Sequence, residues 1–348
     1  MRLFGWLILF LSVGVGAVLW RLSGWVTASP QPASQAHVAF DVSPDGHKVV
    51  FTDVNSDLYL LDLQTRKVAR LTTTEAWETA PAFSPDGKSI AYSVTDPGSE
   101  LTALWIRTLD GKEVRQLTRG TDGMDYAPSF YAGGKWIVFG RSVRIPLDTG
   151  GSTRAADIYV IGRDGQGLRR VTHERYYSVV SPRVGPGEKA VIYAADKLDL
   201  HRLTAKMEGA LLLKADLIGA KLPQVVGPVR PPGFRGAWVS TPHLARDGKT
   251  IVFISDRNHA YRYDLFLMNS DGTGVRPLGV TRLSSYNTLP VLLPRGKGVL
   301  FLGDETHNNQ PVFGLYQVDL DGTNLRLLAD GALFTQPLQW QDRSPIVN

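Results

Sequence analysis

Outside one long N-terminal run, the apolar residues of this 348-residue chain fall into short bursts of β-branched and aromatic residues, separated by turn-forming clusters. Ser89-Ile90-Ala91-Tyr92 and Thr250-Ile251-Val252-Phe253 are typical. Each burst follows a turn element. Pro81-Ala82-Phe83-Ser84-Pro85-Asp86-Gly87-Lys88 has counterparts at Pro128 to Lys135, Pro182 to Lys189, Pro242 to Lys249 and Pro290 to Lys297, and an earlier copy runs from Phe40 to His47. From Phe40 through these prolines to Pro337 the spacings are 41, 47, 54, 60, 48 and 47 residues. Four residues after each Lys or His stands an aromatic ring: Phe51, Tyr92, Phe139, Tyr193, Phe253 and Phe301. The pattern predicts a hairpin whose turn is the Pro-Asp-Gly element and whose second strand ends at that ring.

A second turn recurs at Asp110-Gly111, Asp164-Gly165, Asp271-Gly272 and Asp321-Gly322, with Thr65 and Gly219 at the glycine position in the other two units. Six residues before that position lie Tyr59, Trp105, Tyr159, Leu213, Phe266 and Tyr316, and seven after it Thr72, Thr118, Thr172, Val226, Gly279 and Ala329. These offsets place a third and a fourth strand in every unit, including the fourth, where Lys206 to Leu217 taken alone has a helical look. Four short antiparallel strands repeated six times describe an all-β fold, a six-bladed β-propeller of four-stranded antiparallel blades. Leu333 to Trp340 reads as a strand closing the ring beside the first blade.

The composition agrees: 35 Gly and 21 Pro disfavour a helix-rich fold, and 43% hydrophobic residues exclude wholesale disorder. No cysteine is present, which removes disulfide scaffolds, thiolate catalysis and Cys-ligated zinc. The formal charge of +5 is spread along the chain without a basic run, so nucleic acid is not an expected partner. Leu3 to Trp20 is eighteen residues without a charge, flanked by Arg2 and Arg21. As a helix it spans about 27 Å, close to a hydrocarbon core. It is expected to be an uncleaved anchor to the cytoplasmic membrane, with a cleaved signal and a secreted protein as the alternative. The expected organisation is therefore an apolar helical anchor over residues 1–21, a Ser-, Pro- and Ala-rich tether over 22–37, the propeller over 38–341 and a tail over 342–348.

The Ser-Pro-Asp-Gly-Lys hairpin, the Tyr- or Trp-centred strand, the Asp-Gly turn and Arg115-Gln116-Leu117-Thr118 together resemble the WD-like repeats of the TolB propeller family. The resemblance covers about residues 37 to 341. It leaves out the α/β domain that precedes the propeller in that family, since the first repeat here follows the apolar segment within about twenty residues. It implies a periplasmic or other extracytoplasmic location, and a role exercised through contacts with another envelope protein. Similar repeats form the propeller of prolyl-oligopeptidase-like enzymes, but the Gly-x-Ser-x-Gly nucleophile turn of their hydrolase domain is missing.

Function in such a fold sits on loops rather than within blades. Each fourth-to-first-strand connection carries an aromatic: Trp77, Tyr126, Tyr177, Trp238, Tyr286 and Phe334. They are either blade-packing rings or an aromatic mouth for a peptide tail or sugar. The position after the first-strand proline holds Asp41, Arg183 and His243, a mixed-charge set that either keeps a channel solvated or binds a carboxylate. Long second-to-third-strand loops are expected at Arg141 to Asp157, Asp196 to Glu208, Asp256 to Tyr263 and Asp304 to Gln310. No catalytic constellation, metal site or cofactor site is expected: the histidines are scattered, and Asp319-x-Asp321-Gly322-x-Asn324 occupies a repeated hairpin turn. The reading is an envelope-anchored, non-catalytic interaction module. The alternative is a carbohydrate- or peptide-binding sensor or enzyme with a small ligand at the channel mouth.

Overall fold

Ser43-Pro44-Asp45-Gly46 and Ser84-Pro85-Asp86-Gly87 show why the chain reverses where it does. Proline presets the turn, the aspartate carboxylate accepts the N–H two residues on (His47 and Lys88, both 2.9 Å), and the glycine N–H donates to the serine carbonyl at 2.9 Å. The serine hydroxyl then accepts the N–H of Lys48 or Ser89 at 2.9 Å, where the second strand begins. Gly87 has φ +68°, and Pro44 Cδ of the preceding turn lies 3.3 Å from where a Cβ would stand. A side chain there would be both strained and crowded. Pro85 meets Gly134 in the same way at 3.2 Å and Pro294 meets Gly46 at 3.6 Å, so the last turn touches the first.

The computed structural model describes residues 38–121, 123–147, 151–185, 189–199, 204–205, 211–218, 222–227, 239–259, 262–283, 289–307 and 310–335. The expected N-terminal helix and tether and the C-terminal tail lie outside the described residues. Among the described residues no helix is long and apolar enough to cross a membrane.

The fold is a β-propeller built of small antiparallel four-stranded sheets. The first quartet is Phe40–Val42, Lys48–Thr52, Leu58–Asp62 and Val68–Arg70, in that spatial order. Two further quartets, Trp77–Phe83 to Val114–Gln116 and Met124–Tyr131 to Arg169–Arg170, are joined into one eight-stranded sheet by a parallel bridge between Thr102 and Met124. The fourth quartet is Ser178–Val184, Ala190–Asp196, Leu211–Asp216 and Gln224–Val225. The fifth runs from Val239–Leu244 to Arg276–Leu283, and the last from Val291–Leu292 to Arg326–Asp330. Leu211–Asp216 is a strand despite its helical composition, because it completes a ladder with Ala190–Asp196 and buries Leu212 and Leu213.

The recurring rings are cross-strand partners. Phe51 stands opposite Tyr59, Tyr92 opposite Trp105, Phe139 opposite Tyr159, Tyr193 opposite Leu213, Phe253 opposite Phe266 and Phe301 opposite Tyr316. Phe51–Tyr59, Phe253–Phe266 and Phe301–Tyr316 stack at 5.6 to 5.8 Å between centroids. Every quartet is apolar on both faces because it packs between two others. Val50, Leu58 and Leu60 face Phe83, Ile90 and Tyr92 of the second quartet, while Val49, Phe51, Tyr59 and Leu61 face Val291, Leu300, Leu302 and Leu315 of the last. The last quartet therefore packs on the first.

Two features differ from the sequence reading. Leu333 to Thr335 are not strand: Ala332–Thr335 is a single helical turn that drops Phe334 edge-on against Phe51 at 4.9 Å, sealing the contact between last and first quartets. The expected long loops at 141–157, 256–263 and 304–310 are largely hairpin extensions, with paired strands running to Pro146↔Ser152, His259↔Arg262 and His307↔Gln310. At 196–208 a small hairpin pairs Leu198–Asp199 with Thr204–Ala205.

Candidate functional site

The innermost strand of each quartet runs from the loop face, where the fourth-strand connection enters, to the Pro-Asp-Gly hairpin. In the second quartet Trp77 begins this strand and Ala82 nearly ends it. At ~3.3 Å per residue the expected aromatic ring and the expected charged set thus lie roughly 15 Å apart, at opposite ends of the inner strands. They form two sites.

At the loop face the aromatic set divides. Phe334 is fully buried and Tyr126 nearly so, with Gly140 and Val179 closed around the Tyr126 ring. Both are packing rings. Tyr177 is half-buried. Trp77 is 41% exposed, the largest exposed ring among the described residues. Trp238 and Tyr286 lie outside the described residues. In the second quartet's loop, Glu100 accepts from Arg144 at 2.5 Å and Arg154 at 3.2 Å, which ties the extended third-quartet hairpin to the second quartet.

Beneath this face lies a layer of buried charge that residue-type counting does not find. Arg141 donates to Asp125 through two nitrogens, at 2.5 and 2.8 Å, with its guanidinium 5.1 Å from the Tyr159 ring centre and 5.6 Å from that of Phe139. Arg70 donates to Asp57 at 2.5 Å and Arg170 to Asp157. Thr72, Thr118 and Thr172 accept the N–H of Leu58, Leu104 and Ile158 at 2.8 to 3.0 Å, and Thr172 donates to Asp157 at 2.7 Å. The sequence signal was present: an Asp fifteen residues before the repeated Thr, with an Arg two before it, at Asp57/Arg70/Thr72 and Asp157/Arg170/Thr172. Asp196 accepts from Ser178 at 2.9 Å through one oxygen, while its Oδ1 is buried and has no partner among the described residues. Burial pushes its carboxyl up to about 6. Asp57, Asp125 and Asp157 are each held by an arginine, and Asp196 by the Ser178 hydroxyl.

At the hairpin end, Asp41 and His243 have a specific role. Asp41 Oδ2 accepts the Phe83 N–H at 2.7 Å and His243 Nδ1 accepts the Leu292 N–H at 3.1 Å. Each acceptor belongs to one quartet and each donor to the inner strand of the next. The inner strand is an open sheet edge, so its N–H groups need such partners. Four of the inner strands also carry a bulge. Ala80, Ala127, Ser181 and Thr241, each just before a proline, have φ of 47 to 52°, and the ladder slips register at these four places. Arg183, half-buried, donates to the Pro182 carbonyl at 3.2 Å. Burial raises Asp41 against the pull of Arg183, and burial, followed by the fields of Arg183 and Arg246, holds His243 well below its ordinary value. His243 is therefore neutral, and its accepting Nδ1 places the proton on Nε2. Among the described residues no group of three or more His, Asp or Glu could hold a metal ion.

A family model described as the TolB beta propeller domain matches residues 30–213. A Tol-Pal system protein TolB from Francisella tularensis subsp. mediasiatica is 34% identical over 79 residues, 22% of this chain and 18% of the relative, so the match spans under a fifth of that protein's length. Among solved structures, TolB from Acinetobacter baumannii superimposes with a TM-score of 0.57 at 20% identity, over 82% of this chain and 61% of that one. Oligogalacturonate lyase from Vibrio parahaemolyticus gives 0.57 at 16% identity, over 84% and 77%. At these identities the structures share the fold.

Proposed function

Since the chain belongs to the TolB beta propeller domain family, we propose that it is a non-catalytic protein-interaction module of the cell envelope. In this reading its quartets form six blades, the eight-stranded sheet counting as two, and the Trp77 face meets another protein. Residues 3–20 would hold the module at the outer side of the cytoplasmic membrane, residues 22–37 would serve as tether, residues 38–341 as propeller and residues 342–348 as a free tail. The sequence relative is named as a protein of the Tol-Pal system. The observation that carries the reading is the contrast at the loop face: charged groups beneath it such as Asp125 and Arg141 are buried and paired, whereas the Trp77 ring is exposed. Exposed rings backed by a rigid scaffold are the common anchors of protein interfaces.

The test is photo-crosslinking in intact cells from a benzophenone residue at position 77, with one at exposed position 114 on an outer strand as control. A discrete crosslinked protein, found from 77 and absent from 114, is the expected result. Identical patterns from the two positions, with the protein released from membranes by salt alone, would reject both the interface and the anchor.

A further inference from the structure

The hairpin end of the inner strands is independent of the loop face and of any partner bound there. We propose that it is a binding site for a single carboxylate group, held by Arg183 and Arg246 with the His243 Nε2–H as a third donor.

The register creates the site. Asp41, Arg183 and His243 occupy the same position on the inner strands of the first, fourth and fifth quartets, just before the hairpin turn. Arg246 belongs to the hairpin turn that follows His243. Asp41 and His243 are fixed by their bonds to the Phe83 and Leu292 N–H groups of neighbouring quartets, so the imidazole cannot turn its Nε2–H away without breaking an inter-quartet bond. That donor has no partner among the described residues. Arg183 gives one bond to a carbonyl of its own strand, which leaves most of its five N–H groups unused.

The charge count selects the ligand. Arg183 and Arg246 act on both Asp41 and His243, and Asp41 is the acid inside the set. Asp45, which also faces Arg246, is exposed and committed to its own turn through Ser43 Oγ and the His47 N–H. With Asp45 counted, two guanidinium groups stand against two carboxylates and a neutral imidazole, so a bound monoanion adds one negative charge where a phosphate dianion would add two. Guanidinium groups favour carboxylates through bidentate bonds, and a half-buried position strengthens them relative to water. Bound anion would also oppose the field of the two arginines on the imidazole, so binding must raise the His243 pKa.

The full-length protein is titrated with acetate, and separately with inorganic phosphate, at constant ionic strength. The nitrogen-proton signals of the His243 ring are followed by NMR. The expected result is a saturable shift with acetate below about 50 mM. Arg246→Gln, an exposed turn position, should weaken binding about tenfold or more, and Arg183→Gln should abolish the shift. Arg115→Gln, whose guanidinium serves the Arg163 carbonyl elsewhere, should leave it unchanged. If Arg183→Gln does not fold, Arg246→Gln alone decides. No saturable shift with acetate, a shift that survives Arg246→Gln, or saturation with phosphate alone would each overturn the assignment.

Discussion

Asp196 shows what burial does to a single side chain. Its carboxyl is about 1% exposed and, among the described residues, only one of its oxygens is bonded, so desolvation carries it from 3.8 to about 6. The folded value lies above the unfolded one. Stability from this group is therefore full below about pH 4 and is lost as pH rises through 6, by on the order of 3 kcal/mol for a two-unit displacement. Asp196→Asn removes the charge that neutral pH forces into the sheet. Compared with the parent, its melting temperature should be nearly unchanged near pH 4 and higher above pH 7. Parallel melting profiles from pH 4 to 8 would show that burial of this carboxylate is not what governs its titration. Ordinary composition gave no hint of Asp196, because an aspartate following an apolar strand reads as the start of a solvated loop. Its partner strand continues to Ser178, and the chain then enters a separate small hairpin at Leu198–Asp199 instead of a solvated loop.

At the scale of the element, the buried Asp125–Arg141 pair locks the first two strands of the third quartet just where the long hairpin leaves the sheet. Removing one member takes from the other a two-nitrogen ion pair in a buried site, so Arg141→Ala should cost about 3–5 kcal/mol in urea unfolding. The double variant Arg141→Ala/Asp125→Ala should lose less than the sum of the two singles, since the second substitution removes the charge that has lost its ion-pair partner. Additive losses would mean that the pair is uncoupled. By contrast, Glu100 with Arg144 and Arg154 is exposed and contributes little to stability. The strands themselves were legible. Short β-branched and aromatic runs, Ser-Pro-Asp-Gly turns and the matched offsets of Tyr59 or Trp105 follow from local backbone chemistry and repetition. The length of the hairpins was not, because polar sequences such as Arg141 to Pro146 pair only once their partner strand is held in register.

For the whole molecule, the contact between last and first quartets is the decisive element. Phe334 fills it, fully buried against Phe51, within a core that also contains Val291, Leu300 and Leu315. Phe334→Ala should cost about 3–5 kcal/mol through the cavity it leaves, whereas Trp77→Ala, although also on the loop face, should cost less than about 1 kcal/mol. Calorimetric melting of the two variants distinguishes a sealing ring from an exposed one, and equal losses would refute the division of the aromatic set. Sequence placed both residues in one repeated position, and repetition could not separate them. Their exposure depends on what the next segment does: Phe334 is folded inward by a helical turn, while Trp77 begins an inner strand at its open end.

The amino-acid sequence by itself determined the repeat, the two turn chemistries, the strand offsets and the recurring ring positions, because each depends on residues close together in the chain or on a pattern repeated along it. Only the tertiary structure decided which rings are buried and which carboxylates are desolvated. It also showed that Asp41 and His243 bridge to residues 42 and 49 positions away in neighbouring quartets. Those properties belong to the gaps between quartets, where desolvation and hydrogen-bond partners are set by surfaces that meet only after the sheets pack.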